Sequence, residues 1–327
     1  MKRFHRRGVL ASTAALLGAS AIPARAQNAF PRGPIRLFVG LSAGSSADFV
    51  ARLVADKLRE RTGVSVVVEN KPGSGGVIAT EAVTKMAPDG NAIVLAGMVA
   101  TVMAKLTYAR LPYDPMTDLA PISLVSTFQL ALAVAPTLPV DTMAAFVAWA
   151  KANPAMASYG IPGPGGHSHF FGLMLGRAIG VDMQAVPYKG AAPMIADLGA
   201  GQLKIGMSAL SDFHPSHKAG KLRVLATSGK QRSLAAPELP TFAESGHPDL
   251  VGEGWLGLYA PAKTPLPVTS ALSAEVTAIL ALPEVRDRIV AIGMEPRGGT
   301  PEALAAFDAA EFRKWQPIVA ASGFKVE

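Results

Sequence analysis

Ser42 is the first residue to weigh, because Gly40-Leu41-Ser42-Ala43-Gly44 spells G-x-S-x-G, the turn that presents a nucleophilic serine in many hydrolases. The branched apolar run Ile35–Val39 before it predicts a buried strand. The pattern after it, through Leu58, predicts an amphipathic helix. Strand, small-residue loop and helix start suit a nucleophile locally, but the wider setting does not. Only about 15 residues separate Ser42 from a cleavage signal at position 26, whereas such a serine normally follows several strands and an oxyanion loop. The downstream histidines, His167, His169, His214, His217 and His247, stand in no recognisable Asp-then-His arrangement. A secreted serine hydrolase using Ser42 is therefore the alternative function. The same loop has a second chemistry, since backbone N–H groups and a helix dipole together bind an anion.

Other chemistries have weaker support. His167-x-His169 and His214-x-x-His217, with Asp212 nearby, read as polar loop residues. Their spacing is unspecific, and neither H-E-x-x-H nor a cysteine accompanies them, so no metal is expected. Asn70-Lys71-Pro72-Gly73-Ser74-Gly75-Gly76 is glycine-rich but lacks the spacing of a dinucleotide or phosphate loop. It predicts a tight turn with close backbone approach, and no cofactor.

A second loop repeats the opening design. A short strand over residues 158–161 leads into Pro162-Gly163-Pro164-Gly165-Gly166-His167-Ser168-His169 and a helix ending at Ile179. Small side chains in both loops let a ligand carboxylate approach the backbone amides. Two such loops favour binding over catalysis.

The rest of the chain positions these loops. Lys2, Arg3, Arg6 and Arg7, an apolar core and Ala24-Arg25-Ala26 read as a cleaved export signal over residues 1–26. Arg6-Arg7 leaves twin-arginine and ordinary secretory export both open. The formal net charge is +7, but the first 26 residues hold five basic and no acidic side chains, so the remainder carries +2. That balance argues against nucleic-acid binding. The absence of cysteine excludes disulfides and thiolate chemistry. Further strands are predicted over 64–69, 92–96, 120–134, 183–187, 204–209, 222–228 and 254–260. Helices are predicted over 77–85, 142–152, 192–200, 268–281, 283–292 and 301–322. Asp141 is the expected cap of the helix at 142, and the long strand is expected to break near residues 126–129. Strands alternating with helices predict an α/β fold of mainly parallel sheets in two lobes around a cleft. The first lobe is assigned residues 27–125 and 245–327, the second 126–244.

Over essentially the whole mature length, the chain resembles the Bug family, the periplasmic solute receptors of tripartite tricarboxylate transporters. The resemblance is carried by Pro34-Ile35-Arg36-Leu37, Val66-Val67-Val68-Glu69-Asn70-Lys71-Pro72-Gly73, Pro88-Asp89-Gly90 and Leu111-Pro112-Tyr113-Asp114-Pro115. It continues in Val186-Pro187-Tyr188-Lys189-Gly190, Gly220-Lys221-Leu222-Arg223, Leu239-Pro240-Thr241 and Trp255-Leu256-Gly257. It implies a type II periplasmic-binding fold that closes on its ligand, no catalysis, a monomer, and membrane transporter subunits as partners. The implied ligand is a small carboxylate: a dicarboxylate, tricarboxylate, acidic amino acid or aromatic acid. Carried over by position, the implied contacts are Ser42, Ala43, Gly44, Ser45, Ser46, Ala47 and Asp48 in the first loop. Gly163, Gly165, Gly166, His167 and Ser168 correspond in the second, with Thr101 and the segment from Thr127 to Gln129 lining the distal part. Where the family usually carries Pro-Pro-Gly-Gly, this chain has Ser42-Ala43-Gly44-Ser45. Its Ile161 and Gly166 stand where small hydroxyl residues are usual.

Overall fold

The structure is a computed structural model that describes residues 30–31 and 33–326; the export segment expected at 1–26 lies outside them. The chain opens with β1 (Ile35–Val39), whose residues are buried except Arg36. Next come α1 (Ser46–Thr62) and β2 (Val66–Asn70). A 3₁₀ turn over Ser74–Gly76 enters α2 (Val77–Thr84). After β3 (Ala92–Gly97), a π-helical turn at Val99–Met103 runs into α3 (Ala104–Thr107). β4 (Leu119–Val134) then spans 16 residues. Beyond it lie α4 (Met143–Ala152), β5 (Tyr159–Ile161), α5 (His167–Ile179), β6 (Ala185–Pro187) and α6 (Ala191–Gly199). β7 (Ile205–Ala209), α7 (Leu210–Lys218) and β8 (Arg223–Thr227) follow. The chain ends with β9 (Glu253–Pro261), α8 (Leu266–Leu280), α9 (Pro283–Ala291), β10 (Glu295–Pro296) and α10 (Pro301–Ser322).

The strands form one path, β2-β1-β3-β9-β4-β7-β5-β6, with β8 and β10 paired to β4 off that path. Both arms are parallel, β2-β1-β3 on one side and β7-β5-β6 on the other. The antiparallel strands β9 and β4 join them. β4 changes partners along its length, pairing β9 from Leu119 to Gln129 and then β7 from Leu130 to Val134. This is a two-lobed α/β architecture linked by long strands. Local chemistry explains the element ends: Ser45 caps α1 by accepting from the Asp48 amide at 3.3 Å, and Gly63 closes it in the left-handed region.

Three expectations need correction. The residues around His214 and His217 form α7, not a loop; Pro215 obscures the helical pattern from within. Thr142, not Asp141, caps α4, because its hydroxyl accepts from the Ala145 amide at 3.1 Å. β4 does not break at 126–129: those residues pair with β9, and the register shifts lie upstream, between Pro121 and Ser123 and between Leu124 and Ser126.

Separate apolar clusters sit beneath the two arms. One gathers Ile35, Val50, Leu258 and Ile279, and another Met194, Leu198, Phe213 and Leu222. A third crosses between them, packing Trp315 and Val319 of α10 with Phe170 and Phe171 of α5. Among the described residues, no single helix is long and apolar enough to cross a membrane.

Candidate functional site

Three helices begin where β1, β5 and β7 end, and their starts meet at one cavity of about 640 Å³. Ser46 of α1, Gly163 to Ser168 around the start of α5, and Ser208 and Asp212 at α7 all line it. An adjoining, more apolar space of about 160 Å³ reaches Leu95, Trp255 and Leu256, with Ser46, Phe128 and His167 at the junction. Among the first amides, that of Asp48 is taken up by the Ser45 hydroxyl and that of His169 by the Gly166 carbonyl, which leaves those of Ser46, Ala47, His167 and Ser168 and a positive dipole end beside the cavity.

The first loop is held in shape from behind. Asp48 is buried and accepts from the Gly44 amide at 2.9 Å, Arg52 Nε at 3.1 Å and Asn70 Nδ2 at 2.9 Å. Burial alone would push its carboxyl up, but these hydrogen bonds outweigh it and hold the group below the usual carboxylate range. Asp48 is thus a brace for the loop and does not line the cavity. A Cβ on Gly40 would stand 2.3 Å from the Gly76 Cα, so β1's exit and the 73–76 turn touch backbone to backbone. Gly40→Ala is expected to cost about 2–3 kcal/mol, because neither main chain can yield without moving a cavity wall. Chemical denaturation measures this, and an unchanged midpoint would contradict the close approach.

The second loop is open on the cavity side, where a Cβ at Gly163 or Gly166 would meet nothing within 4 Å. His169 lies behind it, its Nδ1 accepting from the Gly165 amide at 3.3 Å and its ring stacked on Phe170. His167 is different. Both of its ring nitrogens are buried without a partner, burial pushes its pKa down to about 4, and its ring meets the Phe128 edge at 5.2 Å. It is a neutral imidazole at the junction of the two spaces.

The structure gathers Ser46, Ala47, Gly163, Gly165, Gly166, His167 and Ser168 around these spaces. Ser42, Ala43, Gly44, Ser45 and Asp48 lie outside the lining, Ser45 and Asp48 being spent on the turn itself. Thr101 is buried in the π-helical turn and donates to the Gly97 carbonyl. Thr127 and Gln129 also stay outside, because alternation along β4 turns Phe128 to the cavity and its neighbours to the other face. There Thr127 accepts from Arg297 Nε at 2.8 Å, and Gln129 bonds the Gln231 carbonyl at 2.9 Å. Sequence reasoning did not assign Leu41, Ser74, Ser208, Asp212, Trp255, Met294 or Phe324 to the lining, whereas Phe128 lies inside the Thr127 to Gln129 segment expected there. Of these, only the glycines flanking Ser74 gave a signal.

No histidine hydrogen-bonds Ser42 among the described residues: His214 faces Glu238 at 3.1 Å and His217 accepts from the Val224 amide. Those residues also contain no group of three His, Cys, Asp or Glu able to hold a metal. What remains is a cleft lined by helix starts, with no histidine hydrogen-bonded to Ser42 among the described residues.

The model of the tripartite tricarboxylate transporter family receptor matches residues 50–324. The chain belongs to that family. Among curated relatives, the protein BugT of Bordetella pertussis is 31% identical over 91% of this chain and 92% of its own. Among solved structures, Rpa4515 of R. palustris with adipate has a TM-score of 0.80 at 31% identity, covering 90% of this chain and 99% of that one. MatC of Rhodopseudomonas palustris with bound malate reaches 0.76 at 27% identity, covering 89% of this chain and 100% of that one. Family membership makes the chain a periplasmic solute receptor and not an enzyme, which removes the Ser42 hydrolase.

Proposed function

We propose that this receptor captures a small organic carboxylate in the 640 Å³ cavity by closing its lobes, and presents it to the membrane subunits of a tripartite transporter. One observation carries this reading: the uncapped start of α5 and the start of α1 face one cavity that no lysine or arginine lines. Backbone donors, not side-chain cations, then hold the carboxylate. The adipate and malate bound by the two structural relatives fit the same ligand class. Closure turns on β4 between Gln129 and Leu130, where that strand passes from β9 to β7. On this reading the lobes part near residues 129 and 130, a few residues beyond the boundary expected at 125 and 126.

Mass spectrometry of small molecules released from purified protein identifies the ligand, and a thermal-shift screen checks it. A carboxylate present at roughly 100 times its Kd stabilises by ~2.7 kcal/mol. The matching methyl ester, which lacks the charge, is expected to give no shift. Equal shifts from acid and ester would overturn the carboxylate reading.

A further inference from the structure

The three helix starts around the cavity are not electrically alike. α5 begins His167-Ser168-His169 behind Gly166, with no side-chain cap and no acid in its first turn. α1 carries Asp48, but that carboxylate is engaged by Arg52 and Asn70 and does not reach the cavity lining. α7 carries Asp212 in its first turn, and Asp212 does line the cavity. Its side-chain partner among the described residues is the Ser208 hydroxyl, which donates to Oδ2. No lysine or arginine stands in the lining to balance it.

The two poles line the same cavity and follow neighbouring strands. β5 and β7 are parallel neighbours, Tyr159 beside Ile205 and Gly160 beside Gly206. The chain therefore leaves neighbouring strands, ~4.8 Å apart where they pair, toward α5 and α7. A ligand spanning both within the one cavity presents an anion to one and a donor to the other.

His167 supplies an independent sign of the same demand. A neutral imidazole has one donor and one acceptor nitrogen, and neither finds a partner in the protein. The acceptor side calls for a ligand N–H or O–H.

We infer that the ligand is an aminocarboxylate, with its carboxylate on the amides of α1 and α5 and its ammonium group against Asp212. Burial holds the Asp212 carboxyl above its usual range, although Ser208 and the Ala209 amide favour the charged form. A cation beside a buried carboxylate offsets that desolvation and satisfies the charge, whereas a second carboxylate would add repulsion. Asp212 is therefore a specificity-determining residue. This rests on the carboxylate reading above and narrows it.

Calorimetry on the purified full receptor, after denaturing and refolding to strip bound ligand, tests it with matched pairs. The probes are norvaline against pentanoate, phenylalanine against 3-phenylpropanoate, and glutamate against glutarate. In at least one pair the amino member is expected to bind roughly 30-fold tighter, a margin set by one buried charge pair. Asp212→Asn is expected to bring that ratio below about threefold, and Ser208→Ala, which frees the carboxylate's orientation, to lower it partway. The second variant keeps the test usable if the first does not fold. Carboxylate binding with no amino preference, or a preference that survives in both variants, overturns this inference and leaves the carboxylate reading standing. No binding by any probe, together with no carboxylate among the released molecules, overturns both.

Discussion

A Ser46→Phe receptor is expected to fold normally and to lose at least roughly 100-fold in affinity for its carboxylate, about 2.7 kcal/mol. Ser46 is the first residue of α1, is exposed, and lines both the larger cavity and its apolar annex. Its side chain makes no hydrogen bond that the fold needs among the described residues, so the added ring enters ligand space without stripping a partner. The ring also covers the α1 amides that a carboxylate must reach. The neighbouring serine gives the control. Ser45 Oγ caps the helix by accepting from the Asp48 amide, and Ser45 is not in the lining. Ser45→Ala is therefore expected to cost about 1 kcal/mol of stability with affinity nearly unchanged. Calorimetry with the released ligand, paired with denaturation curves, separates the two serines. Wild-type affinity in Ser46→Phe would place the ligand elsewhere.

These adjacent residues also show what the sequence could and could not convey. The small-residue run after β1 announced a turn into a helix start beside the cavity, because composition and the neighbouring periodicities are local properties. Which serine faces the ligand depends on where the helix starts, and one residue of phase separates the cap from the lining. The same limit appears on β4, where residues 127–129 were located in the chain but alternation turns only Phe128 toward the cavity. Trp255, Met294 and Phe324 arrive from strand, loop and C-terminal segment far away in the chain, and no local pattern marks them. α7 went unseen because Pro215 and two histidines interrupt its periodicity, and Asp212 then lost its setting. The architecture was more legible. Ile35–Val39 and Pro301–Ser322 formed over the expected residues, since long apolar runs and clear caps decide them. Thr300 caps the latter by accepting from the Ala303 amide.

Asp308→Asn is expected to gain stability over wild type as pH rises from about 4 to 8, by a margin on the order of 4 kcal/mol. Asp308 on α10 is 6% exposed and takes the Tyr259 hydroxyl from β9 at about 3.0 Å, among the apolar side chains that seat α10 on the sheet. Burial dominates its titration and pushes the carboxyl up to about 7, against an ordinary value of 3.8, while the Tyr259 hydrogen bond pulls the other way. The folded protein therefore holds this proton more tightly than the unfolded chain. Its stabilising contribution is complete below pH 4, declines as pH passes from about 4 to 7, and levels off above that. Asparagine keeps an acceptor for Tyr259 and has no charge to bury, so the variant escapes the decline. At pH 4 the two proteins should be similar, or the variant slightly weaker because an amide N–H₂ needs a partner. At pH 8 the variant should melt several degrees higher, at roughly 2 °C or more per kcal/mol for a chain of this size. Other carboxylates, such as Asp48 and Glu69, are held below their usual range and act in the opposite direction in both proteins, so only the difference between the two reports Asp308. A difference in melting temperature that stays flat across that pH range would show that Asp308 is already ionised in the folded receptor, and that the junction of α10 with β9 tolerates a buried charge.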